Sequence, residues 1–259
     1  MNSGSLFETR RLTRRFGGVV ALDRFDFHLN KGEVAGLIGP NGAGKTTFFN
    51  LATGMLKPTE GDILFKKQSI AGTSPDETVR LGIARTFQNI RLFGKLTVIE
   101  NVLVAAYAKA RTTLVDSFFD RRASRKERDA FTSEALRWLD FMGIAHLKDM
   151  RAISLPYGDQ RRLEIARAMA THPEILLLDE PTCGMNPKET EDAMNHIQRL
   201  RDQGVTILLI EHDMKVVMGI CQRIVVLDYG SQIAEGTPKE VQDNPAVIEA
   251  YLGKEAAHA

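Results

Sequence analysis

Gly39-Pro40-Asn41-Gly42-Ala43-Gly44-Lys45-Thr46 decides how the rest of this chain is read. The octet fits the pattern G-x-x-x-x-G-K-[ST]. In that pattern glycines let the backbone curl until its N–H groups point at a nucleotide's phosphates. The flanks are what the chemistry requires. The apolar run Val34 to Ile38 predicts a buried strand before the loop. Thr46 to Leu51 begins a helix after it, and a helix N-terminus is positive. On this reading Gly39, Asn41, Gly42, Ala43, Gly44, Lys45, Thr46 and Thr47 bind a nucleotide. Lys45 would reach the β- and γ-phosphates, and the Thr46 hydroxyl would ligate Mg²⁺. An ordinary glycine-rich turn needs neither the strand nor the helix.

The bulk numbers exclude several classes. A chain of 259 residues, 43% hydrophobic and 26% charged, buries a substantial core in one or two domains. Its net charge is +1, without the basic excess of a nucleic-acid binder, so no nucleic-acid partner is expected. No apolar stretch approaches the ~18 residues that span a bilayer, and the N-terminus lacks a signal-peptide core, so the cytosol is expected. Two cysteines, Cys183 and Cys221, make no disulfide framework, and Cys221 falls in an apolar helical pattern that reads as core.

Outward from the loop, three regions separate. The first third reads as strands: Phe25, Phe27 and Leu29 alternate with polar residues, and Asp62 to Phe65 is a further short strand. From about Asn89 to Ser154 the period becomes helical, with Val98, Ile99, Val102, Leu103 and Ala106 in one stripe. Ala135, Leu136, Trp138, Leu139 and Met142 form another. The charge run Asp120 to Asp129 between them reads as a solvated helix face. The last third alternates. Ile175 to Leu178, Thr206 to Ile210 and Ile224 to Leu227 are buried-strand runs, separated by helices such as Gln160 to Ala170 and Lys188 to Arg201. That order predicts a parallel sheet with helical crossovers, interrupted by a helical insertion.

Candidate catalytic residues collect at strand ends. Ile175-Leu176-Leu177-Leu178-Asp179-Glu180 delivers two carboxylates where open parallel sheets bind ligands. Downstream of a phosphate loop, Asp179 would hold Mg²⁺ through water, and Glu180 would act as general base on the attacking water. Another strand runs into Glu211-His212-Asp213, from which His212 would contact the γ-phosphate and position Glu180. Gln88 lies where the strand region hands over to the insertion, and its amide would ligate Mg²⁺ and move with the insertion.

Leu155-Pro156-Tyr157-Gly158-Asp159 before the helical Gln160 to Ala170 resembles the signature motif of the ATP-binding cassette (ABC) ATPases. The family's motifs occur in the family's order along essentially the whole chain. They are an aromatic loop at Phe16-Gly17, the phosphate loop, Gln88, the signature, Asp179-Glu180 and His212. Arg15-Phe16-Gly17-Gly18, Gly184-Met185-Asn186-Pro187, Glu211-His212-Asp213-Met214 and Ala250-Tyr251-Leu252-Gly253 look like those of branched-chain amino acid importers. Lipopolysaccharide exporters and urea or amide importers share part of this set.

The resemblance implies an α/β fold: a phosphate-loop (RecA-like) core with a parallel sheet, an N-terminal antiparallel β subdomain and an inserted helical subdomain. Residues 1–88 and 160–259 would form the core, and 89–159 the insertion. It implies an Mg²⁺-dependent ATPase with ATP and Mg²⁺ as cofactors. A second ABC ATPase subunit would complete a head-to-tail sandwich, its ATP touched by Leu155, Tyr157, Gly158 and Asp159. Two membrane permease subunits, and indirectly a solute-binding protein, would be the other partners, with Asn89 to Lys95 in the permease dock. The protein would then sit peripherally on the inner face of the cell membrane. Phe16 would stack on adenine; packing in the core is the other reading for that ring. Pro156, Asp159 and Asn186 depart from the family's serine, glutamine and aspartate. A soluble ABC ATPase acting on DNA or ribosomes would carry a long coiled-coil insertion or two tandem cassettes. A non-hydrolysing module would not keep Glu180 and His212.

Overall fold

Strands buried on both faces must alternate their side chains between two separate cores, and that alternation organises this chain. The computed structural model describes residues 4–107 and 121–255. Val34–Ile38 (β3), Ile175–Asp179 (β7) and Thr206–Ile210 (β8) are buried at every residue. With Ile83–Arg85 (β6), Arg223–Asp228 (β9) and Ser231–Gly236 (β10) they form a six-stranded sheet in the order β10-β9-β3-β8-β7-β6. All neighbours are parallel except β10, which returns antiparallel on β9.

Val34, Ile38, Leu176, Leu178, Ile207 and Leu209 face one core. It continues into Val98 and Val102 of α3 (Val98–Tyr107), Trp138 and Leu139 of α4 (Arg121–Phe141), and Leu163 and Ala166 of α5 (Tyr157–Met169). Ala35, Leu37, Ile175, Leu177, Leu208 and Ile210 face the other. That second core holds α1 (Lys45–Ala52) against an antiparallel sheet. The sheet comprises β1 (Ser5–Phe16), β2 (Val19–Asn30), β4 (Glu60–Phe65) and β5 (Gln68–Ser69), in the order β2-β1-β4-β5, and α2 (Pro75–Leu81) follows it in the chain before β6. Phe48 of α1 meets Phe25 and Phe27 edge-on, with ring centroids 5.2 and 5.3 Å apart. Burying such a ring stabilises by roughly 1.5–3 kcal/mol. The antiparallel sheet therefore fixes the helix that begins at the phosphate loop.

The expected strands and the two helical stripes are present, and Trp138 and Cys221 are buried. Asn89–Lys95 is not helical: α3 begins only at Val98, where Thr97 and Glu100 form a capping box. Of the charge run, Asp120 and the side chains of 121–125 lie outside the described residues, while Lys126, Arg128 and Asp129 are exposed on α4. The signature helix starts at Tyr157, three residues before the expected Gln160, because Pro156 fits the N-cap position and Tyr157 needs no break. In the last third come α6 (Pro187–Asp202), α7 (Met214–Ile220), α8 (Pro238–Gln242) and α9 (Pro245–Glu255). Among the described residues no helix is long and apolar enough to cross a membrane.

Candidate active site

Two glycines of the phosphate loop are steric necessities. Gly39 has φ 146°, and a Cβ there would lie 2.0 Å from the carbonyl oxygen of Leu227 on β9. Gly44 has φ 106°, and its Cβ would lie 2.5 Å from the Ala21 carbonyl oxygen. Side chains cannot adopt these positions, so the loop lies close against the Leu227 and Ala21 carbonyls. Asn41, Gly42, Ala43, Gly44, Lys45, Thr46 and Thr47 line a cleft whose far wall is Gln88, Glu180 and His212. Gly39 lies behind this lining. Lys45 is buried, and its ammonium donates to the carbonyls of Gly39 and Pro40, the latter at 2.9 Å.

The far wall of the cleft is built by adjacent strand ends. β7 and β8 pair in register from Ile175↔Thr206 to Asp179↔Ile210, which sets Glu180 beside the segment leading to His212. Glu180 has φ 48°, and its N–H donates to the Ile210 carbonyl at 2.9 Å. A non-glycine residue in that region costs about 1–3 kcal/mol. The return is orientation. One carboxylate oxygen, Oε1, lies 2.8 Å from His212 Nε2, and the other, Oε2, accepts from Gln88 Nε2 at 2.9 Å. Three residues separated by up to 124 positions in sequence thus converge on one carboxylate.

Asp179 does not line the cleft. It is buried, and its Oδ2 accepts from Arg85 Nη2 at 2.7 Å. Arg85 also donates to Asn50 Oδ1 of α1 at 2.7 Å. Burial pulls the Arg85 guanidinium below its ordinary value, and the Asp179 carboxylate opposes that pull. Sequence reasoning missed Arg85; nothing in its neighbourhood marks an arginine at a short strand's end as buried.

Phe16 is half-exposed at the end of β1, with the Arg14 guanidinium 4.5 Å from its ring centroid. Core packing is ruled out. In the signature, Leu155 is buried in the core shared with α3 and α4, so it anchors the segment and presents no side chain outward. Tyr157 is exposed, and Gly158 is buried against Glu189, which a Cβ would approach to 3.0 Å. Asp159 lies in the first turn of α5 and makes no capping hydrogen bond. It pairs instead with Arg162 at 3.3 Å, and Arg162 also reaches Asp192 at 3.2 Å. Asn186 caps α6, accepting from the N–H groups of Lys188 and Glu189 at 3.0 Å each. An asparagine caps a helix as well as an aspartate, so this departure keeps the local structure. Glu211, also missed, is buried and accepts from the N–H of Thr182 at 2.9 Å and from its hydroxyl, tying β8 to the chain beyond Glu180.

A phosphate-loop cleft faced by a strand-end glutamate, with the signature helix between loop and glutamate along the chain, defines a nucleotide-hydrolysing cassette. Residues 22–183 match the family described as ABC transporter. The chain belongs to this family, as an ATP-binding subunit with ATPase activity. Residues 231–257 match a second family, described as branched-chain amino acid ATP-binding cassette transporter. The chain is 47% identical over 253 residues to the high-affinity branched-chain amino acid transport ATP-binding protein LivG of Salmonella typhimurium. That alignment covers 97% of this chain and 99% of the relative. Among solved structures it is similar to an ABC transporter cassette in its ADP conformation, with TM-score 0.84 and 34% identity over 96% of this chain and 99% of that one. A dimeric bacterial ABC transporter cassette matches with TM-score 0.76 and 26% identity, over 90% and 98%.

Proposed function

We propose that this chain powers import of branched-chain amino acids, as one of two cassettes docked on a pair of membrane permeases at the inner face of the membrane. The observation that carries hydrolysis is the Glu180 carboxylate, held between His212 and Gln88 at the wall of the phosphate-loop cleft. On this reading Lys45 exchanges the carbonyls of Gly39 and Pro40 for the β- and γ-phosphates. Glu180 takes the proton of the attacking water, and His212 keeps the carboxylate aimed. The two hydrogen bonds that Glu180 now makes hold it in place before nucleotide arrives, so little reorganisation remains at the moment of reaction.

The oxygen donors suit Mg²⁺. Thr46 offers a hydroxyl and Gln88 an amide oxygen at the cleft, both hard ligands; Asp179, buried and paired with Arg85, would act only through water. Among the described residues no cluster of three or more His, Cys, Asp or Glu stands ready to hold a metal alone. Mg²⁺ typically binds through one or two protein groups, phosphates and water, so this sparse set fits. The ion supplies neutralisation of phosphate charge.

The solute reading rests on the relatives, the branched-chain amino acid transport ATP-binding proteins LivG and, from Pseudomonas aeruginosa, BraF, and on the match of residues 231–257. A second cassette is supported by the dimeric relative and by Tyr157, which is exposed and is not part of this chain's own cleft lining. For the dock, Phe93 is half-exposed in Asn89–Lys95, and the strongly exposed Ile153 lies against Gly94. Apolar groups gathered on a surface segment suit a protein contact. We assign residues 89–159 as the unit that carries dock and signature. Losing a positioned general base costs ~10²–10⁴ in rate. Glu180→Gln should therefore bind ATP with near-native affinity and scarcely hydrolyse it. Turnover within about threefold of wild type would remove Glu180 from this role.

A further inference from the structure

Arg161 heads the fully buried side chains by size among the described residues, an unusual position for a guanidinium. It sits one turn into the signature helix α5 and points back toward the far wall of the cleft. Its Nη1 donates to Glu164 Oε2 at 2.8 Å and to the Phe87 carbonyl at 2.5 Å. Its Nη2 donates to the Gln88 carbonyl at 2.8 Å and reaches the Glu180 carbonyl at 3.4 Å and the Tyr157 hydroxyl at 3.3 Å. Glu164, also buried, completes the grip from the other side. Its Oε1 accepts from the N–H groups of Phe87 at 3.2 Å and Arg91 at 3.5 Å. Burial pushes the Glu164 carboxyl above its ordinary range, against the attraction of Arg161.

A buried ion pair is a poor way to stabilise a core, since apolar residues of similar size commonly do as well. This one is not even fully satisfied: Arg161 Nε has no hydrogen-bond partner among the described residues. What it achieves is geometric. One helix holds, through both carbonyls and N–H groups, the irregular segment that carries Gln88. Gln88 in turn holds Glu180.

We propose that Arg161 and Glu164 are positioning residues, a clamp that makes the Gln88 segment move as one piece with the signature helix. When α5 is drawn toward a partner cassette's nucleotide, the grip of Gln88 on Glu180 changes in the same step. Partner engagement is thereby reported to this chain's own general base. The clamp rests on the roles of Gln88 and Glu180 given above.

Arg161→Lys keeps a positive charge against Glu164. A single ammonium cannot bridge the carbonyls that the guanidinium fork spans. The expected result is a KM for ATP within about threefold of wild type and a kcat lowered about tenfold or more. In a Gln88→Ala background, adding Arg161→Lys should change kcat by less than about twofold, because the clamp acts through Gln88. Wild-type kcat in Arg161→Lys, or equal losses in both backgrounds, would overturn the proposal. Independently of any variant, the amide protons of Phe87 and Arg91 in the wild-type protein should be equally protected from exchange with ADP and with a non-hydrolysable ATP analogue. Release of that protection by the analogue would also overturn it. Glu180→Gln leaves the pair untouched. A slow Glu180→Gln beside a fast Arg161→Lys would sink the clamp alone and leave the hydrolytic assignment standing.

Discussion

Replacing Asp159 by glutamine restores the family's usual signature residue and tests what the carboxylate does here. A carboxylate facing a partner's phosphate would repel it, and glutamine would relieve that repulsion. The structure gives Asp159 a different employment. Its Oδ1 lies 3.3 Å from Arg162, with both side chains about one-quarter exposed. Such pairs contribute about 0.2–1 kcal/mol, and the loss is softened because Arg162 keeps Asp192 at 3.2 Å. A negative charge in the first turn of α5 adds about 0.3–1 kcal/mol through the helix dipole. Asp159→Gln should therefore cost about 1 kcal/mol, a drop of roughly 2–4 °C in thermal midpoint for a chain of this size class. ATP-driven dimerisation and turnover should stay within about twofold of wild type or improve. Thermal unfolding beside steady-state ATPase and sedimentation measurements reads both quantities. A tenfold fall in turnover with an unchanged midpoint would refute the reasoning, because the carboxylate would then serve the chemistry directly.

Lys45→Ala removes a charged donor to phosphate, worth about 1.5–3 kcal/mol, so calorimetry should find ATP affinity lowered roughly tenfold to a hundredfold; unchanged affinity contradicts the assignment. The Cys221 thiol is pushed up to about 12 by burial, with the charge of Glu211 adding to it. Because the thiolate is the nucleophile, an alkylating reagent at pH 8 should modify only the exposed Cys183 in the native protein and both cysteines after denaturation. Equal labelling of Cys221 in the native state, read by mass spectrometry, would contradict its packing. Burial pulls the Glu33 carboxyl upward, but hydrogen bonds from Arg223 and from the N–H of Asn30 outweigh it and leave the group below its ordinary value of 4.5. A depressed carboxyl contributes stability that is present above its ordinary value and is lost as pH falls through the lower folded one. Glu33→Gln should accordingly destabilise at pH 7 and lose that deficit in acid. A deficit independent of pH in denaturant titrations would show that charge is not what Glu33 contributes.

Much of the site was legible because its signals are local. A phosphate loop needs glycines at fixed offsets, a preceding strand and a following helix, and all three are contiguous in Val34–Ala52. Glu180 and His212 follow apolar runs whose burial was readable from composition. The sequence by itself therefore determined the strand and helix order, the phosphate loop and the strand-end position of Glu180. Long-range contacts left no such trace. That Gln88 and His212 engage opposite oxygens of Glu180 depends on the register of β7 with β8 and on where the segment after β6 turns. Asp159 falls inside the first turn of α5 because the helix starts at Tyr157, and it pairs there with Arg162, which also reaches Asp192 on α6. Arg85, Arg161 and Glu164 look in sequence like the exposed charges of any helix or strand end. Only the tertiary structure removes them from water, and an ion without solvent must find its partners wherever the fold brings them.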